Sequence, residues 1–232
     1  MGIETLSYKE LLKKWLVLGN VLQKLIRTKA KIKKGNILDV TDFVNFRVDP
    51  KLYPFGKIIA KAYIKKYGPD YITNVLTVES SGNAFAVLVA ENFYKPMIFA
   101  RKTIPITVKD EELYSSKAES YTKGKKYTII VKKSFIKPKD RILIIDDFIA
   151  RGNATFALLN IINQAGAELA GIIALITKDF KGQEGYKELK KYIKDYNIKH
   201  KNKASVNTLV VMRDMSTSPE NIKYGKSPLI LN

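Results

Sequence analysis

Ile142-Leu-Ile-Ile-Asp-Asp-Phe-Ile-Ala-Arg-Gly-Asn-Ala-Thr155 is the stretch whose reading decides the fold. Four aliphatics, Ile142 to Ile145, have the composition of a strand buried on both faces, as strands of parallel sheets are. Two adjacent carboxylates, Asp146 and Asp147, end the apolar run. A short loop, Ala150 to Thr155, leads into a helix-like segment. In an open α/β sheet, ligands bind where the carboxyl ends of strands meet helix N-termini. A loop of free backbone N–H groups at that point is a ready anion site. Two acids just ahead of such a cradle imply a sugar phosphate. The acids take hydroxyls and the loop takes the phosphate.

The flanking sequence repeats strand, loop and helix. Val75 to Val78 reads as a short strand, Glu79 to Ala84 as a loop and Phe85 to Phe93 as a helix. Lys95 to Ala100 is the next strand, running into Arg101 and Lys102, and this is the βαβ unit of a parallel sheet. Tyr127 to Val131 reads as a strand, Ala154 to Ala165 as a helix, and Gly171 to Thr177 as another buried parallel strand. A polar helix over Gly185 to Asp195 and a strand over Thr208 to Met212 follow. Upstream, Tyr8 to Lys34 has Leu11, Leu12, Leu16, Leu18, Leu22 and Ile26 at roughly helical spacing. It reads as one or two basic amphipathic helices, stopped by Gly35-Asn36. Ile37 to Pro50 reads as strand-like, and Leu52 to Tyr67 as a helix ended by Gly68-Pro69. Thr103 to Lys126 is polar and lysine-rich with no apolar period. It reads as a long loop, of the kind that is functional or mobile.

Composition narrows the chemistry. The chain has 232 residues, 46% of them hydrophobic, enough for one large domain with a sizeable core. It has no cysteine, so disulfides and thiolate metal sites are excluded. The one histidine, His200, lies in the Lys-rich stretch 200–203, which argues against a zinc site or a serine–histidine triad. No apolar run is long enough to cross a membrane. The N-terminus lacks a signal-peptide pattern, so a cytoplasmic protein is expected. The net charge of +19 is spread along the chain and reads mainly as a solvated surface. It also suits an enzyme whose substrate carries phosphate and pyrophosphate. Abundant Lys, Ile and Tyr with only three glutamines resembles thermophile composition.

The strand, the two acids, the two apolar residues and the Gly- and Thr-containing loop resemble the phosphoribosyl pyrophosphate motif of the type I phosphoribosyltransferases. The resemblance implies a mainly parallel central sheet flanked by helices, with a small hood. It implies division into a basic helical segment (1–36), the transferase domain (37–212, with a hood from 37–50 and the C-terminal part) and a tail (213–232). Asp146 and Asp147 would accept from the ribose hydroxyls and oppose the positive charge that develops on the sugar. Ala150, Arg151, Gly152, Asn153, Ala154 and Thr155 would wrap the 5-phosphate. Arg151 departs from the family, which more often has a small polar residue there. Glu79, Ser80, Ser81 and Gly82 resemble the pyrophosphate loop, whose small residues let backbone N–H groups approach closely. Arg101 and Lys102 match its basic contacts. Glu119, Ser120, Tyr121 and Lys123 would belong to a flexible loop that folds over the site, Glu119 as a catalytic candidate. Mg²⁺ would be held through pyrophosphate, the ribose hydroxyls, Asp146 and Asp147. Family members are usually homodimers.

The resemblance narrows to the purine enzymes. Leu38 to Pro50, Glu79 to Ser81, Phe99 to Lys102, Ile144 to Phe148, Gln164 to Ala167 and Ala170 to Ile172 are similar to xanthine phosphoribosyltransferases. Base contacts would fall on Leu38, Asn45 and Lys178, with Phe180 stacking on the ring. Ala150 stands where hypoxanthine-guanine enzymes carry a carboxylate, which disfavours that branch. The tail could rebuild the base pocket, its backbone carbonyls accepting from a 6-amino group. The expectation is therefore a purine-salvage enzyme making AMP from adenine and phosphoribosyl pyrophosphate, with xanthine or guanine as the alternative base. The same fold also serves as a purine-sensing domain in repressors. The segment ahead of residue 37 is too short for their winged-helix domain, so nucleic acid is not the expected partner, and a purine- or phosphoribosyl-pyrophosphate-sensing or nucleic-acid-binding protein stands as a further alternative.

Overall fold

The burial of Ile142 to Ile145 on alternating faces explains the layering of the whole molecule. In this computed structural model, which describes residues 6–35, 37–104, 109–119, 126–215 and 218–228, successive side chains of that strand enter two different cores. Leu143 and Ile145 join one apolar cluster, and Ile142 and Ile144 join the other. A strand apolar on both faces must be covered on both faces.

Among the described residues the strands are β1 (Lys31–Lys33), β2 (Ile37–Asp39), β3 (Asn74–Val78), β4 (Met97–Ala100), β5 (Leu113–Glu119), β6 (Lys126–Lys132), β7 (Arg141–Ile149), β8 (Glu168–Lys178), β9 (Val206–Met212) and β10 (Tyr224–Gly225). The helices are α1 (Tyr8–Lys29), α2 (Pro54–Tyr67), α3 (Asn83–Phe93), α4 (Asn153–Gln164) and α5 (Gly185–His200). The central sheet has the order β10-β9-β8-β7-β3-β4. Its neighbours are parallel except for the antiparallel pair β10–β9. Helices α1, α2 and α3 supply one core, and α4, α5 and the β5–β6 hairpin supply the other. This is the α/β architecture expected from the sequence, mainly parallel and flanked by helices.

Three local expectations change. The first helix starts at Ser7, which accepts from the Glu10 N–H while Glu10 Oε2 accepts from the Ser7 N–H at 2.6 Å, a reciprocal cap. It ends at Lys29, not Lys34, because Lys31–Lys33 pairs antiparallel with Ile37–Asp39. Its buried stripe runs through Leu11, Trp15, Leu18, Leu22, Leu25 and Ile26, whereas Leu16 faces out. Residues 37–50 are strand only as far as Asp39. A wide π-type turn over Thr41–Asn45 and a tight turn at Pro50–Leu52 follow, and Phe43, Val44 and Leu52 enter the core.

The long polar segment is not a bare loop. Leu113–Glu119 pairs along its whole length with Lys126–Lys132. Its inward residues are the small Ser116 and Ala118, so the alternation carries no large apolar signal. Asn160 Nδ2 donates to Ser116 Oγ at 3.1 Å and Gln164 Nε2 to the Ser115 carbonyl at 2.8 Å, which ties the hairpin to α4. Both chain ends pack onto the sheet where they are described. Trp15 stacks on Phe55 and donates from Nε1 to the Pro228 carbonyl at 3.2 Å. Ser227 Oγ donates to the Leu209 carbonyl at 2.7 Å.

Candidate active site

Strand β7 delivers Asp146 and Asp147 to a cleft at the carboxyl ends of the parallel strands, 5% and 4% exposed. Asp146 Oδ1 accepts from the Asp147 N–H at 2.9 Å, and Asp147 Oδ1 accepts from Ser81 Oγ at 2.8 Å. Burial raises both carboxyls above the ordinary carboxylate range. The neighbouring negative charge of Asp147 raises Asp146 further, while the Ser81 hydrogen bond partly offsets the rise at Asp147. A pair held this way gains from cations or hydroxyl donors brought by a ligand.

The loop after the acids is built for an anion. Gly152 takes φ +79°, a left-handed turn that a glycine adopts without strain, and α4 starts at the next residue with no side-chain cap. Ala150 to Thr155 line the cleft, so the open N-terminal turn of α4 faces it. Thr155 Oγ1 is buried with no hydrogen-bond partner among the described residues. A buried hydroxyl without a partner costs stability, and a ligand oxygen would satisfy it. Arg151 turns partly aside, with Nε donating to the Gly182 carbonyl at 3.3 Å. Gly185, the first residue of α5, packs directly on the loop. Its N–H donates to the Ala150 carbonyl at 3.1 Å, and a Cβ there would overlap the backbone of Arg151 and Gly152.

The other expected residues, Phe180 apart, divide into three groups. Leu38, Asn45, Ser81, Glu119 and Lys178 join the acids and the loop in lining the same cleft. The Glu119 carbonyl accepts from Asn153 Nδ2 at 3.1 Å, pinning the hairpin end to the start of α4. Glu79, Arg101 and Lys102 form a neighbouring cluster at the ends of β3 and β4. Glu79 Oε1 accepts from the Lys102 N–H at 2.7 Å and Oε2 lies 3.6 Å from Arg101 Nε. Ser80 and Gly82 complete that turn, and Gly82 precedes α3. Ser120, Tyr121 and Lys123 lie outside the described residues.

Phe180 is a correction. It sits in the turn whose Gln183 N–H donates to the Phe180 carbonyl, and it does not line the cleft. The aromatic wall is Phe148. Lys178, the last residue of β8, is 5% exposed, and its Nζ lies 5.7 Å from the centre of the Phe148 ring. Burial lowers the Lys178 ammonium to about 8. Phe148 directly follows the two acids, and its place in the motif was the signal that could have found it. Tyr127 and Ile37 also line the cleft and were not singled out. The Lys102 ammonium lies 5.3 Å from the Tyr127 ring centre, which ties the basic cluster to the hairpin. The expected rebuilding of the base pocket by the tail also fails among the described residues. None of the described residues 213–215 and 218–228 lines the cleft, and the Pro228 carbonyl is taken by Trp15.

Among the described residues, no group of three or more His, Cys, Asp or Glu could hold a metal ion, and no helix is long and apolar enough to cross a membrane. The phosphoribosyl transferase domain pattern matches residues 54–227. The chain is 40% identical over 160 residues to a xanthine phosphoribosyltransferase of Macrococcus caseolyticus, covering 68% of this chain and 80% of the relative. It is 36% identical over 195 residues to a xanthine phosphoribosyltransferase of Lachnoclostridium phytofermentans, covering 84% and 98%. Among solved structures, an adenine phosphoribosyltransferase from Rhodothermus marinus superposes with a TM-score of 0.61 at 23% identity, covering 84% and 99%. That likeness is one of fold. The sequence relatives favour the alternative base, xanthine, over the expected adenine.

Proposed function

The chain belongs to the phosphoribosyl transferase family, and from that premise we propose that it is a xanthine phosphoribosyltransferase. It transfers the 5-phosphoribosyl group from phosphoribosyl pyrophosphate to xanthine, giving the nucleoside 5′-monophosphate and pyrophosphate. The observation that carries the base is Lys178, a buried ammonium at the end of β8 against the Phe148 ring. An ammonium only donates, so it matches a 6-oxygen and opposes the 6-amino group of adenine. A site built around one buried donor rejects the wrong partner strongly, because the mismatch leaves polar groups unpaired. The named relatives at 36–40% identity support the same choice.

In this reading a ring nitrogen of xanthine forms the bond to C1 of the ribose. The bond from C1 to the pyrophosphate oxygen breaks, and its electron pair leaves with pyrophosphate. The base gives up the proton of the attacking nitrogen. Bond breaking runs ahead of bond making, so the sugar carries positive charge at the transition state. Asp146 and Asp147 accept from the ribose hydroxyls and oppose that charge. Ala150 to Thr155 hold the 5-phosphate, and the buried Thr155 hydroxyl gains its missing partner. Ser81, Arg101 and Lys102 hold the leaving pyrophosphate. Leu38, Asn45 and Phe148 flank the base. Glu119 stands at the hairpin end, where closure of the segment after it would exclude water. Positioning and charge stabilisation account for most of the rate.

Mg²⁺ fits this site as a cation shared with the substrate. Asp146 and Asp147 offer hard oxygens, and Mg²⁺ usually takes one or two carboxylates plus substrate phosphates. When bound, it would neutralise the pyrophosphate as it leaves. A homodimer is part of the same reading, and sedimentation equilibrium reads it.

The test is to incubate the purified protein with phosphoribosyl pyrophosphate and Mg²⁺ and offer xanthine, guanine, hypoxanthine and adenine separately. Nucleotide and pyrophosphate are measured. Xanthine should turn over fastest and adenine should not be used. Turnover of adenine alone would overturn the assignment of Lys178 to a 6-oxygen. No turnover with any base would move the reading to a purine- or phosphoribosyl-pyrophosphate-sensing protein.

A further inference from the structure

Another concave site lies along strand β9, next to the edge strand β10, and shares no residue with the cleft. It is a cavity of about 730 Å³ between α5, β9 and the segment after β10. Its walls carry Lys190 and Lys194 from α5, Arg213 at the end of β9, and Lys226. Among the described residues, no carboxylate lines it. The floor is polar as well: Asn207 is buried and its Nδ2 donates to Ser205 Oγ at 2.7 Å. Ser227 adds a hydroxyl at the rim.

This is more than one patch of a lysine-rich surface. Its arginine is held in place. The Arg213 side chain lies over Gly225, where a Cβ would overlap the guanidinium. Arg213 NH1 donates to Asp179 Oδ2 at 2.5 Å. Lys190 Nζ sits 4.5 Å from the centre of the Tyr186 ring, which forms part of the wall. Four cations converge on a cavity of the size usual for small ligands. An arginine held by one edge matches the forked geometry of phosphate oxygens.

The cavity also connects to the cleft. Asp179, the partner of Arg213, directly follows Lys178, and the Asp179 N–H donates to the Met212 carbonyl at 2.8 Å. Anything that competes for the Arg213 guanidinium loosens the residue next to the buried ammonium.

We propose that this cavity binds a small molecule carrying a phosphate chain, and that its charge draws Arg213 from Asp179 and so alters base binding at Lys178. A nucleoside triphosphate and inorganic tripolyphosphate share the recognised chemistry. The binding stands without the substrate assignment, whereas the effect on the base rests on it.

The test is titration calorimetry of GTP and of tripolyphosphate, each into the full chain with its active site saturated by phosphoribosyl pyrophosphate and Mg²⁺. Binding should persist under saturation. It should weaken by about tenfold or more in Lys190→Glu/Lys226→Glu, the loss expected for charge-assisted contacts. The milder Lys190→Gln/Lys226→Gln should give a smaller loss in the same direction, and basal turnover should be unchanged in both. Tighter GTP than tripolyphosphate names a nucleotide as the ligand, and equal affinities name the phosphate chain alone. Binding abolished by phosphoribosyl pyrophosphate and indifferent to both double variants would overturn the site. So would a short RNA that binds, and loses binding in the variants, where GTP and tripolyphosphate do not. Bound probe should also shift KM for xanthine by about fivefold or more, and Arg213→Gln should remove the shift. An unchanged KM with bound probe would overturn the coupling, and loss of xanthine turnover in every preparation would instead indict the substrate assignment.

Discussion

The two ends of the cleft are built in opposite ways. The end proposed to hold the phosphate is nearly contiguous in the chain: Asp146, Asp147 and Ala150 to Thr155 sit within ten residues of each other. The base end draws Leu38, Asn45, Phe148 and Lys178 from a hairpin, a π-type turn and the tips of two strands. The first is a strand–loop–helix device that could work wherever such a unit folds. The second exists only because β7 and β8 are parallel neighbours and the 37–45 segment folds back over them. The contrast teaches that the reaction class is a local property of this chain, while base choice is a property of its tertiary packing.

The strongest challenge to that contrast is Asp147→Asn. It should lower kcat by about 10²–10³ through loss of an anionic group aimed at developing charge. Stability should hold or rise. Burial raises the carboxyl, so the folded state binds its proton more tightly than the unfolded chain does. The stability this confers is complete below the ordinary carboxylate range and is lost as pH rises through the raised value. An amide at neutral pH avoids that loss. Steady-state rates and thermal melts on the same preparation check both halves, and an unchanged kcat would remove the role given to Asp147.

At the base end, Lys178→Met should reduce kcat/KM for xanthine by about 10–100-fold, the value of a buried charge-assisted hydrogen bond. The wild-type value should fall as pH rises through about 8, where the buried ammonium loses its proton. Lys178→Arg should flatten that limb, since guanidinium does not titrate there. A pH profile identical in both proteins would detach Lys178 from base reading.

Gly185→Ala tests whether the phosphate end is as local as it looks. The added methyl must displace the backbone of Arg151 and Gly152. KM for phosphoribosyl pyrophosphate should rise by about tenfold, because small misplacements of a positioning element are costly. The binding constant for xanthine should move far less. An equal loss on both substrates would mean that the loop and the base wall shift as one unit.

The smallest effect separates two aromatics. Phe148→Leu should raise KM for xanthine several-fold, about the value of one aromatic contact. Phe180→Leu should leave it unchanged, since Phe180 lies away from the cleft. The reverse outcome would restore the stacking role that the sequence suggested for Phe180.

Much of the fold was legible because its signals are local. β7 and β8 are long apolar runs, and the turns between them carry glycine. Strand β6 was read from Tyr127 to Val131, but its hairpin partner β5 was missed because Ser116 and Ala118 bury without looking apolar. Trp15 was missed as the centre of the helix stripe because the aliphatics around it, Leu16 included, fit a helical period nearly as well. In the cleft, the acids and the loop Ala150 to Thr155 were legible because they are neighbours in the chain. Phe148 was passed over although it directly follows the acids, and Tyr127 was not found because it lines the cleft only through where strand β6 begins.

The sequence alone determined that a parallel sheet would present two carboxylates and an anion loop at one strand end. Buried apolar runs, short acidic ends and glycine turns are decided by residues close in the chain. Only the tertiary structure decided that Phe148, not Phe180, backs Lys178, and that the described tail residues leave the cleft to pack against Trp15 and Leu209. It also decided that Gly185 braces a loop more than thirty residues earlier. Those contacts depend on which strands become neighbours and how closely two backbones approach, and chain order does not encode either distance directly.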